Sequence, residues 1–227
     1  MRGKSQKRPT APGPGGGSSR GFLLAVIGIV VIGLGAVAVV ATNRGDGNAS
    51  LSDAEQTAPV ELDGAALPQL PEGVRIGDAT SDPAFGTTAP TLTGTGFDGT
   101  DVVIGADGSP KVVYFLAHWC PHCQAEVPLI QDLIEDGRLP DGLDVYAVST
   151  AVDRGRGNFP PSEWLEDEGF TPTVVRDDPD GTAFATFGGS SFPYVVYLDG
   201  DNRVLGRSAG SLDGETIEQL WELTASG

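Results

Sequence analysis

The pattern of a buried strand runs straight into a pair of cysteines, and this junction constrains the chain more than any other feature. Lys111-Val112-Val113-Tyr114-Phe115-Leu116 is a nearly unbroken apolar run rich in β-branched and aromatic residues. Such a run predicts a strand covered on both faces of a parallel sheet. Ala117-His118-Trp119-Cys120-Pro121-His122-Cys123-Gln124-Ala125-Glu126-Val127-Pro128 follows at once and holds both cysteines and both histidines of the 227-residue protein. Cys123, Val127, Ile130 and Ile134 then recur at helical spacing as far as Gly137 and Arg138. The cysteines therefore fall where a strand turns into a helix.

The rest of the pattern extends this unit. Thr91-Leu92-Thr93 and Asp101-Val102-Val103-Ile104 read as two short strands joined through Phe97-Asp98-Gly99. After the helix come a strand over 143–149, a short helix over 162–168, a strand over 172–176 and a helical turn over 182–187. Two strands, 194–198 and 203–206, flank the hairpin loop Asp199-Gly200-Asp201-Asn202. Asp213 can cap a last helix with Ile217, Leu220, Trp221 and Thr224 on one face. The order predicts an α/β domain over residues 88–227, with a mixed central sheet, helices on both faces and an N-terminal β-hairpin extension.

Three segments precede it. Residues 1–21 are rich in Gly, Pro and Ser, carry Arg2, Lys4, Lys7, Arg8 and Arg20, and read as a solvated basic tail on the cytoplasmic side. Residues 22–41 run without a charge for twenty positions, the length a helix needs to cross a bilayer's hydrocarbon core. The positive charge ahead of this run places residues 42 onward outside the cytoplasm, in a single-pass membrane protein. Ala36-Val37-Ala38 offers a signal-cleavage alternative, but the apolar run continues past it to full spanning length. Ser19-Arg20-Gly21-Phe22 lacks the second arginine of a twin-arginine signal, and no cysteine follows the run to carry a lipid. Residues 42–87, with only short apolar islands such as Leu67-Pro68-Gln69-Leu70, read as a disordered extracytoplasmic linker.

Charge and cysteine count narrow the function. All 31 acidic residues lie beyond the apolar run, against nine basic ones there. So acidic a surface argues against nucleic acid, whose binding rests on Lys and Arg neutralising phosphates. Two cysteines three positions apart exclude a multi-disulfide scaffold and point to chemistry.

A Cys-x-x-Cys at a helix start suits redox chemistry. The unsatisfied N–H groups and positive dipole end stabilise the thiolate of Cys120, the nucleophilic form. Cys123, one turn on, is placed to form a Cys120–Cys123 disulfide and to resolve a mixed disulfide. Pro121 suits the first helical turn, and His122 adds positive character beside Cys120. Stabilising the reduced form makes the disulfide more oxidising, so Pro-His tilts toward disulfide donation. Glu126, at i+3 from Cys123, is placed between the apolar face and solvent, where a raised pKa would suit it to take the proton of Cys123. A zinc reading of His118, Cys120, His122 and Cys123 lacks a second ligand pair elsewhere, so no metal or other cofactor is expected.

The stretch Ala117-His118-Trp119-Cys120-Pro121-His122-Cys123 with Glu126 and Pro128 resembles the active-site motif of TlpA-like (ResA/DsbE-type) thioredoxin-fold oxidoreductases, the membrane-tethered, extracytoplasmic branch. The resemblance covers about residues 88–226. It implies that Trp119 shapes the exposed face beside Cys120, that Pro128 bends the helix and that Glu126 lies under Cys123. It further implies that Phe192-Pro193 is the cis-proline pair facing the cysteines, with Phe192 offering its backbone to the substrate chain; Phe192 is bulkier than the family's usual Thr or Val. The implied activity is thiol-disulfide exchange with exported proteins bearing thiols or disulfides, with a membrane redox partner resetting the cysteines. The Pro-His pair is better known from DsbA-type oxidases, whereas many TlpA-like members are reductases serving cytochrome c maturation. A copper-binding or redox-sensing module and a peroxidase are the competing classes.

Overall fold

The computed structural model describes residues 53–74 and 81–227. A short helix, α1 (Asp53–Gln56), leads into β1 (Glu61–Asp63), which pairs antiparallel with β2 (Thr91–Thr95); β2 in turn pairs with β3 (Asp101–Ile104). Leu92 at the centre of this three-stranded sheet faces Leu62 on one side and Ile104 on the other. There follow β4 (Lys111–Leu116), α2 (Pro121–Glu135), β5 (Asp144–Ser149), α3 (Pro161–Asp167), β6 (Thr173–Arg176), α4 (Thr182–Thr186), β7 (Tyr194–Leu198), β8 (Val204–Ala209) and α5 (Gly214–Ala225).

β4 occupies the middle of a five-stranded sheet ordered β6-β5-β4-β7-β8, parallel to β5 and antiparallel to β7. All six of its residues are buried, because alternate side chains enter two different cores. Val113 and Phe115 join Leu92, Val148, Phe187 and Tyr194; Val112, Tyr114 and Leu116 join Val127, Ile130, Ile217 and Trp221. Each large side chain so buried contributes roughly 1.5–3 kcal/mol. α2 and α5 thus cover one face, while α4 and the three-stranded sheet cover the other. Lys111, the charge in the strand, is fully buried and donates from Nζ to the carbonyls of Gly105 and Ser109 and to Asp107.

Three expectations change. The linker expected over 42–87 is ordered wherever it is described, and the compact unit that contains the two sheets begins at Leu51. Leu67 and Leu70 are buried, and their N–H groups donate to the carbonyls of Thr186 and Gly188 at 2.8 and 2.9 Å. Asp82 bonds Arg207 through two contacts, Nε to Oδ2 at 2.9 Å and Nη2 to Oδ1. Short apolar islands become a strap here because partners more than a hundred residues away complete them. Second, the expected β-hairpin extension is a three-stranded sheet, since β1 adds to its edge. Third, the last strand runs to Ala209 rather than ending at 206, its extension masked by Arg207 and Ser208, both buried.

The basic tail and the membrane helix expected over 1–21 and 22–41 lie outside the described residues. Among the described residues no helix is long and apolar enough to cross a membrane.

Candidate active site

β4 ends at Leu116 and the chain turns through Ala117, whose carbonyl accepts the N–H of Cys120 at 2.9 Å. That turn sets Cys120 at the N-cap of α2 in extended conformation, φ −79° and ψ 119°, with Pro121 in the first turn. No side chain caps the helix, so its first N–H groups point toward the Cys120 end unsatisfied by protein side chains. Pro121 and His122 are exposed, and Pro128 lies inside α2.

Cys120 keeps 6 % of its surface exposed, whereas Cys123, one turn on, is fully buried. Both are free thiols, close enough to share a hydrogen bond. Burial, first of all, pushes the Cys123 thiol far above its ordinary range, and the neighbouring Cys120 and Glu126 push the same way. A slightly exposed thiol and a buried, protonated one behind it are thereby distinguished.

Glu126 is 1 % exposed. Its Oε2 accepts the N–H of Leu212 at 2.9 Å, while Oε1 has no protein partner. Burial raises its pKa from 4.5 to about 7 against the opposing pull of the Leu212 bond. The buried phenols of Tyr114 and Tyr197, like the Cys123 thiol, lie within electrostatic reach of this carboxyl, whose charge adds to the upward push that burial gives all three.

Phe192-Pro193 is cis and faces the thiols: the Cys120 Sγ lies 3.7 Å from the Phe192 carbonyl oxygen. The Phe192 ring stacks on Phe184 at 4.5 Å and meets Trp119 edge-to-face at 5.9 Å. Trp119 is half-buried and donates from Nε1 to the Ala151 carbonyl at 2.8 Å. Cys120, Cys123, Glu126, Trp119, Phe192 and Pro193 are thus brought together, with Pro121 and His122 on the exposed shoulder.

The sequence pattern gave no hint of the loop over 150–160. His118, considered there only as a metal ligand, anchors it: the Asp153 N–H donates to Nε2 at 3.1 Å, and Nδ1 lies 2.8 Å from the Gly157 carbonyl. An accepting Nε2 fixes the neutral tautomer with the proton on Nδ1. Burial holds the His118 pKa below its usual value. Both nitrogens being engaged by backbone, His118 is withheld from any ligand set with the cysteines. The signal that was available is its position, two residues before Cys120 at the end of a buried strand.

A mixed sheet of this order, with Cys-x-x-Cys at a helix N-terminus and a cis X-Pro bond opposite, defines a thioredoxin-fold dithiol protein. The chain belongs to the AhpC/TSA family, whose model matches residues 82–203. It is similar to the thiol:disulfide interchange protein DsbE homolog of Paracoccus denitrificans, 33 % identical over 102 residues, 45 % of this chain and 51 % of that protein. It is also similar to the thiol:disulfide interchange protein HelX of Rhodobacter capsulatus, 31 % identical over 113 residues, 49 % of this chain and 58 % of that one. The chain thus matches only about half the length of these curated relatives. Among solved structures, a proposed thiol:disulfide interchange protein DsbE from Chlorobium tepidum matches with a TM-score of 0.52 at 25 % identity, covering 62 % of this chain and 97 % of that one.

Proposed function

We propose that this protein is a thiol-disulfide oxidoreductase that exchanges disulfides with exported proteins, held at the outer face of a membrane by the apolar segment 22–41. The observation that carries the reading is the asymmetric dithiol: Cys120 at a helix N-cap with some exposure, and Cys123 buried beside a carboxyl whose pKa is about 7. The names of the relatives, thiol:disulfide interchange proteins, support the same chemistry.

The Cys120 thiolate attacks one sulfur of a client disulfide, forming a Cys120–client bond and releasing the other client sulfur as thiolate. Glu126, ionised for part of the time at neutral pH, takes the proton of Cys123. The Cys123 thiolate then attacks Cys120, closing the Cys120–Cys123 disulfide and freeing the client's second thiol. Run backward, the same steps donate a disulfide. His122 beside Cys120 tilts the poise toward donation. The client chain lies against the Phe192 backbone, and a membrane redox partner restores the starting state.

Cys120→Ser is expected to abolish exchange and Cys123→Ser to accumulate mixed disulfides. Retention of full insulin-reduction or oxidative-refolding activity by the double serine variant would end the proposal. Equilibrating the protein with glutathione buffers gives the direction: a potential near −120 mV marks a disulfide donor and one near −270 mV a reductase, as benchmark oxidoreductases do roughly.

A further inference from the structure

His118 stands two residues before Cys120 and is 1 % exposed, yet the exchange steps leave it unused. Its ring reaches instead to the loop over 150–160. Nε2 accepts the Asp153 N–H at 3.1 Å, and the Nδ1–H donates to the Gly157 carbonyl at 2.8 Å. Trp119, the next residue, donates to the Ala151 carbonyl at 2.8 Å and carries the Arg156 guanidinium 4.0 Å from its ring centre. The same Trp119 ring meets Phe192 edge-to-face, and the Phe192 carbonyl oxygen lies 3.7 Å from the Cys120 Sγ. His118, the loop, Trp119 and Phe192 therefore form one chain of contacts that ends at the thiol.

The loop leans on these anchors because its own residues bury little. Residues 153–158 are all exposed, and Ala151 and Asn158 sit at φ of 51° and 59°, the left-handed region that is costly for a residue with a Cβ. Within the loop the Asp153 Oδ1 accepts the Gly155 N–H, and Oδ2 pairs with Arg156 at 3.4 Å in an exposed, weak contact. A proton added at Nε2 turns the His118 acceptor into a donor that faces the Asp153 N–H, so a bond becomes a repulsion. Around the ring, Asp153 favours that proton and Arg156 opposes it. The Phe159 ring meets the imidazole edge-on at 6.0 Å, with the Arg154 guanidinium 5.8 Å from its far neighbour's ring centre, and α2 presents the neutral Gln124, which donates to the His118 carbonyl. Burial is the largest influence and keeps the ring neutral at neutral pH.

We infer that His118 is a positioning residue for client exchange: its neutral ring holds the loop over 150–160 against Trp119, and its protonation releases that loop and disturbs the surface on which the client lies. The proton acts through Trp119 and Phe192 and never touches the reacting sulfurs. Histidine suits this because one added proton reverses the role of one ring nitrogen. The loop is the two-state element, and acid selects its released form. This inference rests on the proposed exchange activity, since the surface that His118 sets is the Phe192 backbone beside Cys120.

The test uses the full-length chain, reduced, between about pH 7.5 and about pH 4.5, with two disulfides. One is an uncharged peptide whose single cysteine is activated as a mixed disulfide with thiopyridine; the other is dithiodipyridine, too small to lie along Phe192. Attack by Cys120 forms a Cys120–peptide or Cys120–thiopyridine disulfide and releases thiopyridone, read by absorbance as an initial rate. Ionisation of Cys120 and of Glu126 enters both rates and cancels in their ratio. The peptide-to-reagent ratio is expected to fall at least about tenfold in acid, inside the roughly 100-fold that a misplacement of about 1 Å costs. Its midpoint matches the titration of the His118 ring followed by NMR, and the Trp119 indole N–H resonance moves with the same midpoint. His118→Gln, which keeps an acceptor and a donor but takes no proton, holds the ratio high throughout, whereas His118→Phe holds it low at every pH. The wild-type titration and His118→Gln decide the matter even where the phenylalanine variant fails to fold. A ratio flat with pH in wild type, an equal fall in His118→Gln, or a ring that titrates without moving the Trp119 resonance overturns the positioning role while leaving exchange standing. A ring that stays neutral to the end of the titration overturns it too. Absence of thiopyridone release from both disulfides overturns the exchange activity and the role with it.

Discussion

Replacing Glu126 by Gln should make the fold's stability less sensitive to pH, by an amount the structure supplies. The carboxyl titrates near 4.5 when solvated and near 7 when buried in the fold. Below pH 4.5 it is protonated in both states and costs nothing. As pH rises from 4.5 to 7 the unfolded chain ionises while the folded one resists, so the folded state loses ground. Above 7 both are ionised and the loss is constant. At about 1.4 kcal/mol per pH unit the full loss is about 3 kcal/mol, of which about 2.5 kcal/mol accrues between pH 5 and pH 8. Glutamine keeps the oxygen that accepts the Leu212 N–H but cannot ionise. Urea unfolding of the reduced protein, followed by tryptophan fluorescence at pH 5 and pH 8, measures the effect. Wild type should lose about 2–3 kcal/mol more than Glu126→Gln over that interval. His118 and Asp177, whose pKa values are also moved by burial, contribute to both proteins and cancel in the comparison. Cys123 is held too high to titrate in this window. Equal losses in the two proteins would refute the reading of Glu126 as a buried, proton-holding carboxyl, and with it its role in the resolving step.

Asp82→Ala leaves the buried Arg207 guanidinium without its carboxylate and should cost about 3–5 kcal/mol in urea unfolding. A chain cut to begin at residue 88 loses Asp82 together with Leu67 and Leu70, so it should melt far below one that begins at Leu51; calorimetry of the two decides. Trp221→Phe strands the buried Tyr114 hydroxyl by removing a 2.9 Å bond and should cost about 1–3 kcal/mol by the same unfolding assay. Gly188→Ala sets a Cβ 2.4 Å from the Pro68 carbonyl at a φ of +78°, so it should pull the strap away and raise hydrogen exchange at Leu67 and Leu70.

The strand, the cysteine pair and the helix after it were legible because their signals are local. An unbroken apolar run, a 3.6-residue period and a proline at a helix start depend on neighbours in the chain. Asp213 illustrates this at the other end of the domain, capping α5 through the Thr216 N–H at 2.8 Å. The strap over 53–74 was illegible for the opposite reason. Its backbone bonds go to Thr186 and Gly188, and Pro68 accepts from Arg207, so nothing in its own composition announces order. The loop over 150–160 has no apolar period either, being held by His118 and Trp119 from another part of the chain.

What the sequence alone determined is the chemistry available: two thiols one helical turn apart, on the end of a buried strand, with a carboxyl three residues after the second. What only the tertiary structure decided is how those groups differ. Burial separates Cys123 from Cys120 and lifts Glu126 to about 7, because desolvation depends on which remote residues close over a group. The same folding brings the Phe192 carbonyl to the thiol and stacks Arg156 on the Trp119 ring, contacts that no spacing along the chain encodes.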